Sequence, residues 1–518
     1  MNTMQEPIIM RCRSLARWLL PIAMLIAAPA LAETPAGIDA RAATSAVTIN
    51  GIRNFNVTSG TSITLDGNAM SAAQFAAGGR GFNALVRIAN IDPSTTSGDA
   101  TQIELRNLLK GPVTSVDPLK VLNQPITVTG DTVLVDVPGN DPGQLSVGSL
   151  LEVSGYMDTS NTIVAARVQF HANPLDDWKL SGYVAGLSGT TLAIGSQSVD
   201  FTGVTPLNCT PPLANGSFVE IEAFANAGYT AASVLAQVFK LECEDPNFSN
   251  PPPGTTQVSL EGLITAVPNP LPTPATFSMS SVDVVTTAQT EYRGGTADDL
   301  AVGVRVEAEG FYDAATHLLT AREVHFTQAQ VRFEAPVAPA AVTPGESITI
   351  MDNLVQFTAQ TRDEDGIAAF GLGSTRQVEV RGLVDSEGNL FATRIRDRGN
   401  ADINDTRLRG PVSAIAQPEL TILGNTVDTS SAVFRDHENQ PISAAQFFAQ
   451  VQIGTIVSAE DATYNAATHH LIAGTMELEE DGIVSPTVQT EAPTATNGLS
   501  RGTITGFGAD KIFANGFN

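Results

Sequence analysis

The chain repeats itself, and this limits its possible folds more than any other property, because self-similarity at a fixed period marks an array of small units. Six times a short apolar strand opens in the same way: Ile49-Asn50-Gly51-Ile52, Lys110-Gly111-Pro112-Val113, Leu180-Ser181-Gly182-Tyr183, Leu260-Glu261-Gly262-Leu263, Phe333-Glu334-Ala335-Pro336 and Leu408-Arg409-Gly410-Pro411. The run from Gly111 to Val116 returns almost unchanged from Gly410 to Ile415. A second strand follows a turn-rich gap, as at Thr191 to Ile194 and Ser347 to Ile350, and a short third strand follows it, as at Thr132 to Val135. The fourth strand is the most regular: Gly148 to Gly155, Gly216 to Ala223, Gly303 to Gly310 and Thr375 to Gly382 alternate Val or Ile with Glu or Arg. That period of two predicts a strand with one face in a core and the other in solvent. A hairpin turn leads to the fifth strand, as at Ile163 to Phe170, Leu318 to Phe326 and Leu390 to Asp397.

Copies one and six share Ser-Ala-Ala-Gln-Phe, from Ser71 and from Ser443. Serine before Ala-Ala-Gln is a helix start, so a helix of one or two turns is expected between the third and fourth strands. Five short strands with a helical turn at that place predict an all-β chain, a tandem array of about six small five-stranded OB-like barrels, with an SH3-like barrel as the alternative. The expected boundaries are modules at 46–108, 109–172, 179–244, 258–328, 329–398 and 407–480. A proline-rich linker at 245–257 stands between modules three and four, and residues 481–518 match no copy and are expected to be a flexible tail.

Residues 1–32 read as an address. Arg11, Arg13 and Arg17 precede an apolar run from Trp18 to about Pro29, closed by Ala30-Leu31-Ala32. This is the pattern of a secretory signal peptide cleaved after Ala32, and the run is too short for a bilayer span. A periplasmic or secreted protein is therefore expected, with no membrane insertion after cleavage. Export would place Cys209 and Cys243, the two cysteines beyond the signal, in an oxidising compartment, where the economical reading is one disulfide between them.

The formal net charge of −26 includes the basic signal segment, so the remainder is more acidic still. Such a surface repels phosphate backbones and anionic headgroups, which argues against nucleic-acid partners. OB barrels that bind oligonucleotides also need a basic groove and stacking aromatics, and aromatics are only 6% here. The expected partner is a protein or glycan at the cell envelope.

With the repeat laid out, the modules resemble the bacterial exported repeat known as domain of unknown function 5666. The resemblance rests on Gly-x-Val/Ile in the first strand, on Gly148 to Gly155, and on Ala165 to Val168. It spans Val47 to Glu480, closest in copies two, four and five and looser in one, three and six. It implies no catalytic or ligand residues. The ending from Asp510 to Asn518 also resembles a short aromatic-glycine terminus of exported proteins, a possible sorting tag.

Catalytic motifs are absent: there is no Gly-x-Ser-x-Gly, His-Glu-x-x-His or Gly-x-x-x-x-Gly-Lys. No cofactor is expected. His317 and His469 occupy equivalent turns, "YDAATH" and "YNAATH", which points to shared ancestry of the turn and not to a ligand set. Calcium is the metal considered, at Asp363 and Asp365 around Glu364 and Gly366, and at Asp402 with Asp405. Hard oxygen ligands on a glycine-containing turn suit that ion, although the twelve-residue loop ending in glutamate is missing. The functional expectation is a non-catalytic structural or binding scaffold. The alternative is an extracytoplasmic hydrolase with a carboxylate site between modules, to be sought around Arg435 to Gln446.

Overall fold

The computed structural model describes residues 45–509, apart from 51–52, 93–96, 246–254, 256, 269, 328, 359–360, 364, 386, 437–438 and 480–496. The expected signal segment, most of the proline-rich linker and part of the expected tail lie outside these residues.

Module two shows how the repeat closes. Its first strand, Leu109–Val116, pairs antiparallel with Leu119–Val121, which pairs antiparallel with Gln124–Thr127. This third strand then runs parallel to the fifth, Ile163–His171, and the stretch expected as the third, Thr132 to Val135, instead supplies an additional short strand, Val133–Val135, parallel to the same fifth strand. The fifth pairs antiparallel with the fourth, Leu150–Met157, and the fourth returns to the first. The order 1-2-3-5-4-1 with a parallel 3–5 pair is the Greek-key closure of an OB barrel, and an SH3-like meander lacks that parallel pair. Fourth-to-first closure recurs in all six modules. The parallel ladder recurs in modules one, four, five and six, and module three keeps it as a Val199–Leu235 bridge. The chain is thus an array of closed OB-like barrels.

The glycine ending the fourth-strand motif has a steric cause. At Gly155, Gly310 and Gly382 the register slips by one residue against the fifth strand, a β-bulge. A Cβ there would lie 2.2 Å from Val164 O, 2.0 Å from Thr320 O and 2.4 Å from Phe391 O. Only glycine fits so close a backbone. The helices also fall as expected: Ser71 caps Ala72–Gly78 and Ser443 caps Ala444–Gln450, each with a reciprocal glutamine, and Phe75 and Phe447 plug the barrels.

Two expectations are corrected in module one. Its opening strand is not Ile49 to Ile52, and the C-terminal segment is not wholly a flexible tail. Ser45–Ile49 is the second strand of that barrel, and the first is Asn497–Ala509, from the other end of the chain. This strand pairs antiparallel with Ser45–Ile49 and with Asn83–Asp92, as Thr406–Ala416 pairs with the second and fourth strands of module six. Ser45 lies opposite Ala509. Without residues 497–509 the barrel would present two unpaired strand edges.

The first strands also join barrels in pairs. Leu109 and Lys110 lie opposite Leu180 and Lys179, joining modules two and three. Phe333 opposite Leu408 joins five and six. Gln257–Leu263 of module four runs parallel to the C-terminal strand and so joins module one. Among the described residues the result is three sheets of 12, 11 and 15 strands. The buried cores of modules two and three form one cluster, as do those of five and six. Modules one and four have distinct clusters, although Leu85 and Leu499 of module one pack into that of module four.

Candidate functional site

Alternation along the fourth strands predicts that their glutamates face solvent, and the structure buries them. Glu379, Glu307 and Glu309 are each 1% exposed, and Glu220 is 6% exposed. Their face of the sheet is covered by neighbouring modules, so each carboxylate must find a cation or carry a large desolvation cost. Glu379 receives Arg332 at 2.8 Å, Arg396 at 2.9 Å and Arg381 at 3.3 Å. Burial pushes its carboxyl up, but these three guanidiniums outweigh burial and hold it at about 2.

The same logic bridges modules. Asp299 of module four takes Arg409 of module six at 2.6 Å and Arg381 of module five at 3.2 Å. Glu307 of module four accepts from Arg53 and Asn50 of module one, both at 2.9 Å, and from Ser259. Tyr156 of module two donates to Glu261 of module four, which also accepts from the backbone N–H of Thr503 at 2.8 Å. Lys179 of module three sits 2.8 Å from Asp66 of module one and 2.6 Å from Glu220 of its own barrel.

Modules one and three flank an open polar cleft of about 320 Å³, lined among others by Asp66, Glu104, Arg106, Lys179, Glu220, Lys240, Glu242 and Glu244. Five of these are carboxylates and three are cations. Glu220, Glu242 and Glu244 bring oxygens within 4.8 Å of one another, the one such three-ligand group among the described residues. Lys240 already occupies the cationic position: its Nζ is 2.9 Å from Glu220, 3.1 Å from Glu222 and 3.1 Å from Glu242. Burial raises the Glu220 carboxyl, yet Lys179 and Lys240 draw it down to about 2. Glu244 stays above the usual carboxylate range, chiefly because of burial.

The outer face of module three continues from this cleft to an aromatic pair. On Phe218–Phe224 the residues Val219, Ile221 and Ala223 enter the core, so Glu220, Glu222 and Phe224 share the opposite face. A bulge on the partner strand after Val238 places Phe239 beside Phe224, with ring centroids 4.7 Å apart. Phe224 is 57% exposed and Phe239 43% exposed.

The residues considered for calcium are not gathered. Asp363 accepts from the N–H groups of Ile367 at 2.9 Å and Ala369 at 3.0 Å, so it caps the short helix Ile367–Phe370. Asp365 accepts from Asp397 N at 2.7 Å, and Glu364 lies outside the described residues. Asp402 accepts from Asn404 N at 2.9 Å, while Asp405 accepts from Gln377 through its backbone carbonyl. The Asp363 and Asp402 bonds satisfy local amides of a cap and a turn, whereas those of Asp365 and Asp405 reach strands 32 and 28 residues away. Cys209 and Cys243 form a disulfide with Cα atoms 4.9 Å apart, tying the loop before the fourth strand to the end of the fifth. His469, with Tyr464, binds Asp352 of module five, whereas His317 bonds Tyr312 of its own turn. Around Arg435 to Gln446 the chain forms a small hairpin, Val433–Arg435 with Pro441–Ile442, and the capped helix. The seam residues Arg53, Asp66 and Asp299 were missed by sequence reasoning, because nothing near them in sequence marks what they meet in space.

Barrel closure, the bulge glycine recurring in modules two, four and five, and the first-strand joints define the class of protein: a tandem repeat of OB-like β modules. Four stretches, 110–169, 181–234, 261–325 and 340–396, match the family model described as Domain of unknown function (DUF5666). The four matched stretches fall one each within modules two to five. Modules one and six share the barrel order but fall outside the match. No curated protein matches the chain.

Proposed function

We propose that this is an exported, non-catalytic scaffold that holds its barrels in fixed relation and presents them to a protein or glycan partner at the cell envelope. The observation that carries this reading is the use made of the buried charges. Glu379, Asp299, Glu307 and Glu220 are spent on cations of their own or neighbouring barrels and so cement the array. A carboxylate-based hydrolase would instead need acid and base groups open to a substrate. The disulfide and the signal-like leader are compatible with an oxidising compartment outside the cytoplasm.

The test is affinity capture from envelope extracts with the mature protein, together with hydrolase assays on glycoside and ester substrates. Saturable retention of one partner with no turnover is expected. Turnover abolished by changing one carboxylate, or no retained partner, would overturn the reading.

A further inference from the structure

We propose that the outer face of module three, from the Phe224–Phe239 pair to the acidic cleft shared with module one, docks an arginine- or lysine-bearing segment of a partner protein. This rests on the scaffold reading above and names the chemistry of its partner. Two observations converge on one strip of surface. Exposed aromatic rings in contact cost solvation free energy and mark interaction sites more often than scattered apolar residues do. In a chain with 6% aromatics, Phe224 and Phe239 are the one such pair among the described residues with both rings more than two-fifths exposed.

The second observation is charge. Lys240 follows Phe239 in the chain and pairs across the strands with Glu222, which lies two residues before Phe224. Lys240 itself lines the cleft with Glu242 and Glu244, whose side chains are 21% and 19% exposed. The cleft's carboxylates outnumber its cations, so an anionic partner is repelled and a cationic head is attracted. An arginine or lysine stem is apolar along its length and charged at its tip. Laid on the two rings, it directs its head along the strands toward the cleft, where it competes with Lys240 for Glu242 and with Arg106 for Glu244, and a guanidinium also gains from the ring faces.

The test uses the full mature chain and a fluorescent peptide of three arginines alternating with leucines, followed by anisotropy. Saturable binding that weakens as salt rises from about 50 to 300 mM is expected, because screening shortens the reach of exposed charges. Phe224→Ser with Phe239→Ser should weaken it about tenfold, a typical loss for an aromatic anchor. Glu242→Gln with Glu244→Gln should weaken it and flatten its salt dependence. Glu346→Gln with Glu419→Gln, which removes two exposed carboxylates in modules five and six, should change little. Unchanged melting temperatures show that the variants fold, and Phe239→Ala alone provides a milder second test. Absence of saturable binding, indifference to the aromatic changes, an equal loss in the distant pair, or preference for a chitosan oligomer over the peptide would each overturn the proposal. If an envelope partner is retained equally by the aromatic variant, this docking face falls and the scaffold reading stands. Peptide binding at this face with no envelope partner would sink the scaffold reading instead.

Discussion

Glu379 sits in the middle of the most regular motif of the repeat, where sequence alone places it in water, yet three guanidiniums surround it. Removing its charge would leave those cations buried around a neutral amide. Glu379→Gln is therefore expected to destabilise the protein by about 3–5 kcal/mol, the usual cost of breaking a buried pair from one side. Equilibrium urea unfolding checks this. Glu291→Gln, which loses an exposed pair to Arg293 at 3.7 Å, should cost no more than about 1 kcal/mol. At Cys209 and Cys243 the sequence separation of 34 residues sets the expectation. Cys209→Ser with Cys243→Ser should lose about 3–4 kcal/mol in the chain-entropy account, and thermal melts with and without reductant should show the same gap.

At the scale of elements, the C-terminal strand is the least expected feature. Arg501-Gly502-Thr503-Ile504-Thr505 repeats the signature of Arg409-Gly410-Pro411-Val412-Ser413, so the information was present in the sequence. The signature does not reveal its partner, because here the first and second strands of one barrel lie at opposite ends of the chain. Deleting residues 497–518 should leave module one open. Limited proteolysis would then cut within 45–106 while modules five and six stay resistant, and a synthetic peptide of residues 497–509 added in trans should restore protection. Equal resistance of the deleted and full chains would contradict this pairing. The capped helices and bulge glycines, by contrast, were legible, because a cap or a bulge depends on residues a few positions apart or on one adjacent strand.

For the whole molecule, the buried charges make a prediction about pH. Glu220 and Glu379 fall from an ordinary 4.5 to about 2 in the folded chain. The unfolded chain therefore binds protons more readily, and their stabilisation is lost as pH falls from about 4.5 toward 2. Glu477 goes the other way: burial, with Glu479 and Glu460 beside it, raises it to about 7. The folded chain binds that proton more tightly, so stability rises as pH falls from about 7 to 4.5. Glu244, Glu261, Glu309 and Glu479 are shifted in the same sense as Glu477. The melting temperature should therefore peak near pH 4.5 and decline toward pH 7, and Glu477→Gln should reduce that alkaline-side loss. A melting temperature still climbing at pH 8 would contradict the assignment.

The residues by themselves determined the all-β class, the recurring five-strand barrel pattern, the helix caps and the disulfide pairing. These follow from alternation, turn chemistry and a two-cysteine count, all readable over short stretches or by elimination. Only the tertiary structure decided which strand completes module one, which barrels join, and that the glutamate faces are buried against arginines. The physical reason is range: the side-chain period says which way a residue points, but not what lies there, and Asn50 and Thr503, bonded at 2.8 Å, are 453 positions apart.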